Sequence, residues 1–431
     1  MARRQGRGGR DRGEGSGALR LFLAFAAGAT LCLLAYSITR DAAAPSSNAG
    51  PPLRRDTPGA PGKVRGAKTS QGGAGCPAAG CPPRFWAPTE VTGIERDDPR
   101  VTLCKLAFDT YWKEPAKTPM FRDLVAASKC GRGKTGTLNE LYEGLAAKGV
   151  TPLKPSGFVF HESRVGSTLV ANMLASVPTH IVYSESAPLP PVLSRCRGCS
   201  PERKRDLIQK IVALMGASPG YHTHLFFKFQ SITVPNMRTL LDAFPETPWI
   251  FVYRDPVQTM MSHFKQGVGN GPCLRARGRP PPATLAVLGM DAAHASRAPK
   301  EDYCAAHLAM LTNSALDADA ASQKGLLVDY ASMPGSILGH VIPKHFGAPL
   351  SRDDADRVYA TSHTYSKARS SSKLTGEWQG DNEQKEKAAT DAIRAAADAY
   401  LRPTYDKARA ATRARTGGDD LVGLKDFAPG G

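Results

Sequence analysis

Acidic residues are scarce. Asp+Glu total 39 against 56 Lys+Arg, so the 431-residue chain carries a formal net charge of +17 at pH 7. The excess is uneven: residues 1–70 hold 12 basic and 4 acidic residues, or +8, which leaves +9 on residues 71–431. A basic tail therefore precedes a mildly basic body, which suits anionic ligands without choosing among nucleic acid, phosphate esters and acidic glycans. No internal repeat is evident, and no Asn-x-Ser/Thr sequon occurs. The first excludes a solenoid; the second leaves N-glycosylation silent about compartment. Charged residues are only 22% and hydrophobic residues 41%, which excludes wholesale disorder and permits a packed core.

Long apolar runs are also few. Arg3, Arg4, Arg7, Arg10, Arg12 and Arg20 precede an uncharged stretch from Leu21 to Ile38, closed by Arg40 and Asp41. Those 18 residues span roughly 27 Å as a helix, close to a bilayer's hydrocarbon thickness. The arginines mark a cytoplasmic tail at residues 1–20, a type II transmembrane anchor at 21–38, and a lumenal remainder. A signal peptide cleaved after Ala42-Ala43-Ala44 and an Arg-rich transit peptide are the alternatives. Residues 39–87 are rich in Ala, Pro, Gly and Ser and read as a flexible stem. Residues 88–415 are expected to form the folded domain and 416–431 a tail.

Apart from Cys32 in the apolar run, eight cysteines remain: Cys76, Cys81, Cys104, Cys130, Cys196, Cys199, Cys273 and Cys304. An even count beyond a membrane anchor points to disulfides. Cys196-x-x-Cys199 also has the spacing of half a zinc site, although no second Cys/His pair stands near it.

The chemistry-bearing stretch begins at Gly157-Phe158-Val159-Phe160, an apolar run of strand character. His161-Glu162-Ser163-Arg164-Val165-Gly166-Ser167-Thr168 follows, then Leu169, Met173 and Val177 at helical spacing. Strand, loop and helix in this order point backbone N–H groups and a helix N-terminus at a phosphate. A Walker A loop would carry Lys before Ser/Thr; its absence argues against an ordinary ATPase or kinase. A second strand, Trp249–Tyr253, runs into Arg254-Asp255-Pro256. Asp255 and Pro256 are helix-start residues, and Ser262 lies about two turns on. Arg at a strand end and Ser on the next helix can converge on a second phosphate.

The two segments together resemble the paired signatures of the P-loop sulfotransferases, which use 3′-phosphoadenosine 5′-phosphosulfate. The resemblance covers roughly residues 155–380. It implies that Arg164-Val165-Gly166-Ser167-Thr168 holds the 5′-phosphosulfate and that Arg254 with Ser262 holds the 3′-phosphate. The Arg form of the loop is similar to that of Golgi type II carbohydrate sulfotransferases. The implied fold is α/β: a three-layer P-loop-type domain with a central, mainly parallel sheet of about five strands. The implied reaction is sulfuryl transfer to an acceptor hydroxyl, on a carbohydrate, in the Golgi lumen, without a metal and without nucleic acid. Leu326–Tyr330 resembles the family's late core strand. Lys367, Arg369 and Lys373, in a Ser-rich stretch ending Gly376-Glu377-Trp378, stand where family members carry a basic loop over the nucleotide. Residues 380–415 read as a charged surface helix without chemistry.

Cytosolic members place a catalytic His two residues after a strand Lys. Here Lys228 is followed by Gln230, so the base must come from elsewhere. Glu185, after the first helix, stands where many Golgi members carry Glu, although Ser186 and not Pro follows. Lys228 is expected to assist the leaving phosphate. His222 and His224 are the reserve bases, and His161 is expected to shape the loop. Arg275, Arg277, Arg279 and Arg297, among glycines and prolines in 266–300, read either as a basic acceptor-side loop or as a disordered insertion. Two rival functions remain. A glycosyltransferase would use Asp317-Ala318-Asp319 as an Asp-x-Asp metal motif. An inactive sulfotransferase-fold protein would bind a glycan or partner.

Overall fold

Continuous apolar runs dictate the centre of the molecule, seen here in a computed structural model that describes residues 84–131, 133–264, 271–364, 382–425 and 427–429. Two sheets form, one of three strands and one of five. Strands β1 (Phe85–Thr92), β2 (Arg100–Leu106) and β3 (Lys134–Thr137) make an antiparallel sheet in the order β1-β2-β3. Strands β4 (Gly157–His161), β5 (His180–Ser184), β6 (His224–Lys228), β7 (Trp249–Tyr253) and β8 (Gly325–Asp329) make a parallel sheet in the order β5-β6-β4-β7-β8.

Every residue of β4, β5, β7 and β8 is buried. Successive strand side chains point to opposite faces, so both faces of the sheet are covered, as parallel sheets require. Phe158, Phe160, Phe226, Phe227 and Phe251 are all at most 1% exposed. Each contributes roughly 1.5–3 kcal/mol of burial. Phe160 stacks on Phe229 at 5.1 Å and Tyr183 on Phe227 at 5.4 Å, so neighbouring strands are locked laterally as well as by their ladders.

β1 begins at Phe85, three residues inside the stretch expected to be stem. Phe85 and Ala87 are buried and pair with Leu106 and Cys104, so residues 85–87 belong to the folded domain. Cys104–Cys130, Cys196–Cys199 and Cys273–Cys304 are disulfide-bonded, so the Cys196-x-x-Cys199 pair closes on itself and is not half of a zinc site. Cys76, Cys81 and the 21–38 apolar run lie outside the described residues. Among the described residues no helix is long and apolar enough to cross a membrane. Residues 271–300 are not a disordered insertion: they fold into short helices at Pro282–Leu288 and Ala292–Ala295.

Candidate active site

The loop after β4 is held in an unusual backbone path. Ser163 and Arg164 have φ of 86° and 62°, and Gly166 has φ of 83°. Non-glycine residues in this region cost about 1–3 kcal/mol each and persist only where their surroundings hold them. The neighbouring side chains supply that hold. His161 Nδ1 accepts from the Ser163 amide at 3.0 Å, which puts the ring proton on Nε2, donated to the Phe229 carbonyl at 3.0 Å. Burial and the nearby Lys228 charge keep this ring's pKa well below the usual histidine range. His161 therefore shapes the loop as a neutral ring, as expected.

Gly166 caps helix Ser167–Ala175, whose first amides open onto a cleft of about 610 Å³. A Cβ on Gly166 would lie 2.9 Å from the Tyr330 ring, so loop and ring are in close contact. Tyr330 in turn carries the Arg254 guanidinium at 4.1 Å from its ring centroid, a cation–π arrangement. Arg254 follows β7, is 2% exposed, and donates from Nε to Gln258 Oε1 at 3.1 Å and from a terminal nitrogen to Asn382 Oδ1. Asp255 caps the following helix, accepting from the Val257 and Gln258 amides at 2.9 and 3.2 Å. Its other oxygen accepts from Arg402 at 2.9 Å.

Lys228 ends β6. Its side chain is 1% exposed, and its ammonium is paired with the Glu185 carboxylate, which is 27% exposed. Glu185 follows β5, has φ of 57°, and donates its amide to the Lys228 carbonyl at 2.6 Å. Backbone and side chain of the two residues are thus doubly joined where two parallel strands end.

The cleft is lined by Arg164, Val165, Gly166, Ser167, Thr168, Glu185, Lys228, Gln230 and Arg254, together with Arg122, Arg275, His307 and Tyr330. It lies at the carboxyl ends of β4, β6 and β7, where open parallel sheets bind ligands. Five of its lining side chains are cationic (Arg122, Arg164, Lys228, Arg254, Arg275) and one, Glu185, is anionic. Such a cleft stabilises a polyanion and places one carboxylate beside it.

Among solved structures, the chain is similar to the sulfotransferase domain from the Synechococcus PCC 7002 olefin synthase. Identity is 16%, coverage is 60% of this chain and 95% of that one, and the TM-score is 0.29. No family model matches the chain, and no curated protein does. That likeness carries no part of the assignment, which rests on the cleft.

Not every expected residue reaches the cleft. Ser262 is 2% exposed and donates to the Gln258 carbonyl at 2.9 Å, one helical turn back; it is not among the lining residues. Lys367, Arg369 and Lys373 lie outside the described residues. His224 opens β6, four residues before Lys228, about 13 Å away at strand rise. His222 lies farther back, packed on Phe85 at 5.3 Å and bonded to Ser218 at 2.5 Å. Both reserve bases are therefore at the wrong end of the sheet. Two other histidines line the cleft, His161 of the loop and His307 on helix Lys300–Ala320; burial lowers the pKa of His307 to about 4. Of the arginines in 271–300, Arg275 lines the cleft, while Arg277 is spent on the Ala298 carbonyl.

Two further assignments change. Asp319 pairs with Arg415 at 3.1 Å within a helix, so Asp317-Ala318-Asp319 is a structural segment and not a metal loop. The 380–415 segment is not a bystander, because Asn382 and Arg402 hold Arg254 and Asp255. Glu162 went unnoticed in sequence. It is 2% exposed and stands at the start of the loop, between β4 and Ser163.

Proposed function

We propose that the chain is a sulfotransferase that moves a sulfuryl group from 3′-phosphoadenosine 5′-phosphosulfate to an acceptor hydroxyl on a carbohydrate. The observation that carries the reading is the convergence of the Arg164–Thr168 loop, Lys228, Arg254 and Glu185 on one cleft. The loop amides, Arg164 and the N-terminus of helix Ser167–Ala175 hold the phosphosulfate, and Arg254 holds the 3′-phosphate by its fork. Ser262 joins Arg254 at the 3′-phosphate if its hydroxyl turns from the Gln258 carbonyl. Lys373 belongs to the same role, over the nucleotide.

The acceptor oxygen forms a bond to sulfur while the bond between sulfur and the bridging phosphate oxygen breaks. Glu185 takes the hydroxyl proton. Lys228 holds that carboxylate near the transferred group, and its ammonium is also positioned to compensate negative charge growing on the bridging oxygen. Arg164 stabilises the charge spread over the sulfuryl oxygens. Adenosine 3′,5′-bisphosphate leaves, and the cations that bound it stabilise it without a metal.

The Arg-rich tail, the 21–38 run and the disulfides support a Golgi type II membrane protein with its catalytic domain in the lumen. The test is transfer of labelled sulfate from the donor to a panel of polysaccharides, proteins and small alcohols by the purified chain. Incorporation into a glycan supports the proposal. Tight bisphosphate binding with no transfer to any acceptor would instead make this an inactive binding protein.

A further inference from the structure

Glu162 is an acidic residue sealed inside the loop after β4. It sits between the end of β4 and the first strained residue of the loop, and it is 2% exposed. Its backbone amide donates to the Val252 carbonyl of β7 at 3.2 Å. One carboxyl oxygen, Oε1, accepts from the Arg254 amide at 3.3 Å and from the Thr259 hydroxyl at 3.1 Å. The other, Oε2, accepts from the Thr312 hydroxyl at 2.9 Å. Thr259 and Thr312 are themselves at most 1% exposed. A buried carboxyl without partners would be costly, whereas one with three donors fixes each of them in place.

Those donors come from different parts of the site. Arg254 carries the proposed 3′-phosphate contact, Thr259 lies on the helix after it, and Thr312 lies on helix Lys300–Ala320, whose Leu311 lines the cleft. Glu162 itself is two residues from Arg164. We infer that Glu162 is a positioning residue that sets the spacing between the phosphosulfate loop and the 3′-phosphate arginine, so that a nucleotide bearing both groups is measured by one buried carboxyl. The inference rests on the sulfotransferase reading and deepens it. It makes selection for the 3′-phosphate depend on a residue that touches no part of the nucleotide.

A hydrophobic or purely structural side chain at 162 could stabilise the fold without affecting which nucleotide binds. The experiment therefore reads selectivity and stability separately. Adenosine 3′,5′-bisphosphate and AMP are titrated against the full chain and against Glu162→Gln, Thr259→Val and Thr312→Val, with thermal unfolding of each. In Glu162→Gln the bisphosphate-to-AMP affinity ratio is expected to fall about tenfold, the scale of one misplaced charge-assisted contact. Thr259→Val, which removes the donor sharing Oε1 with the Arg254 amide, should lower the ratio by a smaller factor. Thr312→Val touches only Oε2 and should lower the melting temperature while leaving the ratio near native. Equal ratios in all four proteins, with only melting temperatures changed, would overturn the inference and leave Glu162 a packing residue. A native protein with no preference between the nucleotides would instead remove the sulfotransferase reading beneath it.

Discussion

Replacing Glu185 by Gln removes one charge from the cleft and changes almost nothing in shape. The consequence for turnover follows from the proposed proton transfer: a positioned general base contributes about 10²–10⁴-fold, or roughly 3–5 kcal/mol of barrier. The consequence for stability follows from Lys228, whose side chain is 1% exposed and whose ion-pair partner is this carboxylate. Removing one member of a fully buried pair costs about 3–5 kcal/mol. The cost here should be smaller, because Glu185 is 27% exposed and Gln keeps a carbonyl oxygen to which Lys228 can donate. Glu185→Gln should therefore remain folded, lower kcat by two to four decades, and bind adenosine 3′,5′-bisphosphate nearly as the native protein does. Labelled-sulfate transfer measures the first effect, denaturant unfolding the second and calorimetry the third. Glu185→Asp, which retains the charge one methylene farther back, should recover part of kcat. Near-native turnover by Glu185→Gln would refute the assignment; if His307→Asn were then the damaging change, the base would be that cleft-lining histidine.

Arg254→Ala should abolish most of the preference for adenosine 3′,5′-bisphosphate over AMP, a loss of about 10- to 150-fold, read by titration of both nucleotides. Gly166→Ala should weaken nucleotide binding, since its Cβ would meet Tyr330 at 2.9 Å, at a φ of 83° that disfavours any side chain; an unchanged affinity would show that Tyr330 yields freely. Burial lowers the pKa of His180 and His263 to about 3, and of His222, His307 and His345 to about 4. Each takes up a proton more readily unfolded than folded, so their contribution is full above about pH 6.5 and is lost as pH falls toward 4–3. Denaturant midpoints should therefore drop steeply below pH 6.5, and a flat profile from pH 7 to 4 would contradict the burial of these rings.

The central sheet was legible because buried parallel strands are uninterrupted apolar runs: Trp249–Tyr253 and Leu326–Val328 can hardly be read otherwise. The phosphate loop was legible because a strand, a glycine and a Ser-Thr helix start follow one another within 12 residues, Gly157 to Thr168. The antiparallel sheet was not. β1 contains Pro88, and its register shifts between Pro88 and Glu90, so the alternation that marks a half-buried strand is broken where it should be clearest. Glu162 and His307 were missed for a related reason. Nothing in their neighbours says that a charged loop residue is sealed in or that a helical histidine faces a cavity. Arg402 was dismissed with its helix because alternating charge ordinarily faces water, yet it reaches Asp255 across 147 residues of chain. Only tertiary structure carries that information.

The contacts of Asn382 with Arg254 and of Arg402 with Asp255 span 128 and 147 residues of chain, and they have a consequence for synthesis. A ribosome makes the phosphate loop, the Lys228 strand and Arg254 long before it makes their last supports. The last strand of the parallel sheet, β8, is complete at Asp329, when Arg254 still lacks its Asn382 partner. A chain ended early by a nonsense codon near residue 380 would lack the groups that fix its arginine and also the helix that covers β8, where Thr412 donates to the Leu327 carbonyl and Tyr405 to Asp329. Such a product would expose apolar sheet surface that Leu401 and Ala408 normally help to cover, and would lose stability together with nucleotide selection. In this protein, completion of the site is coupled to completion of translation.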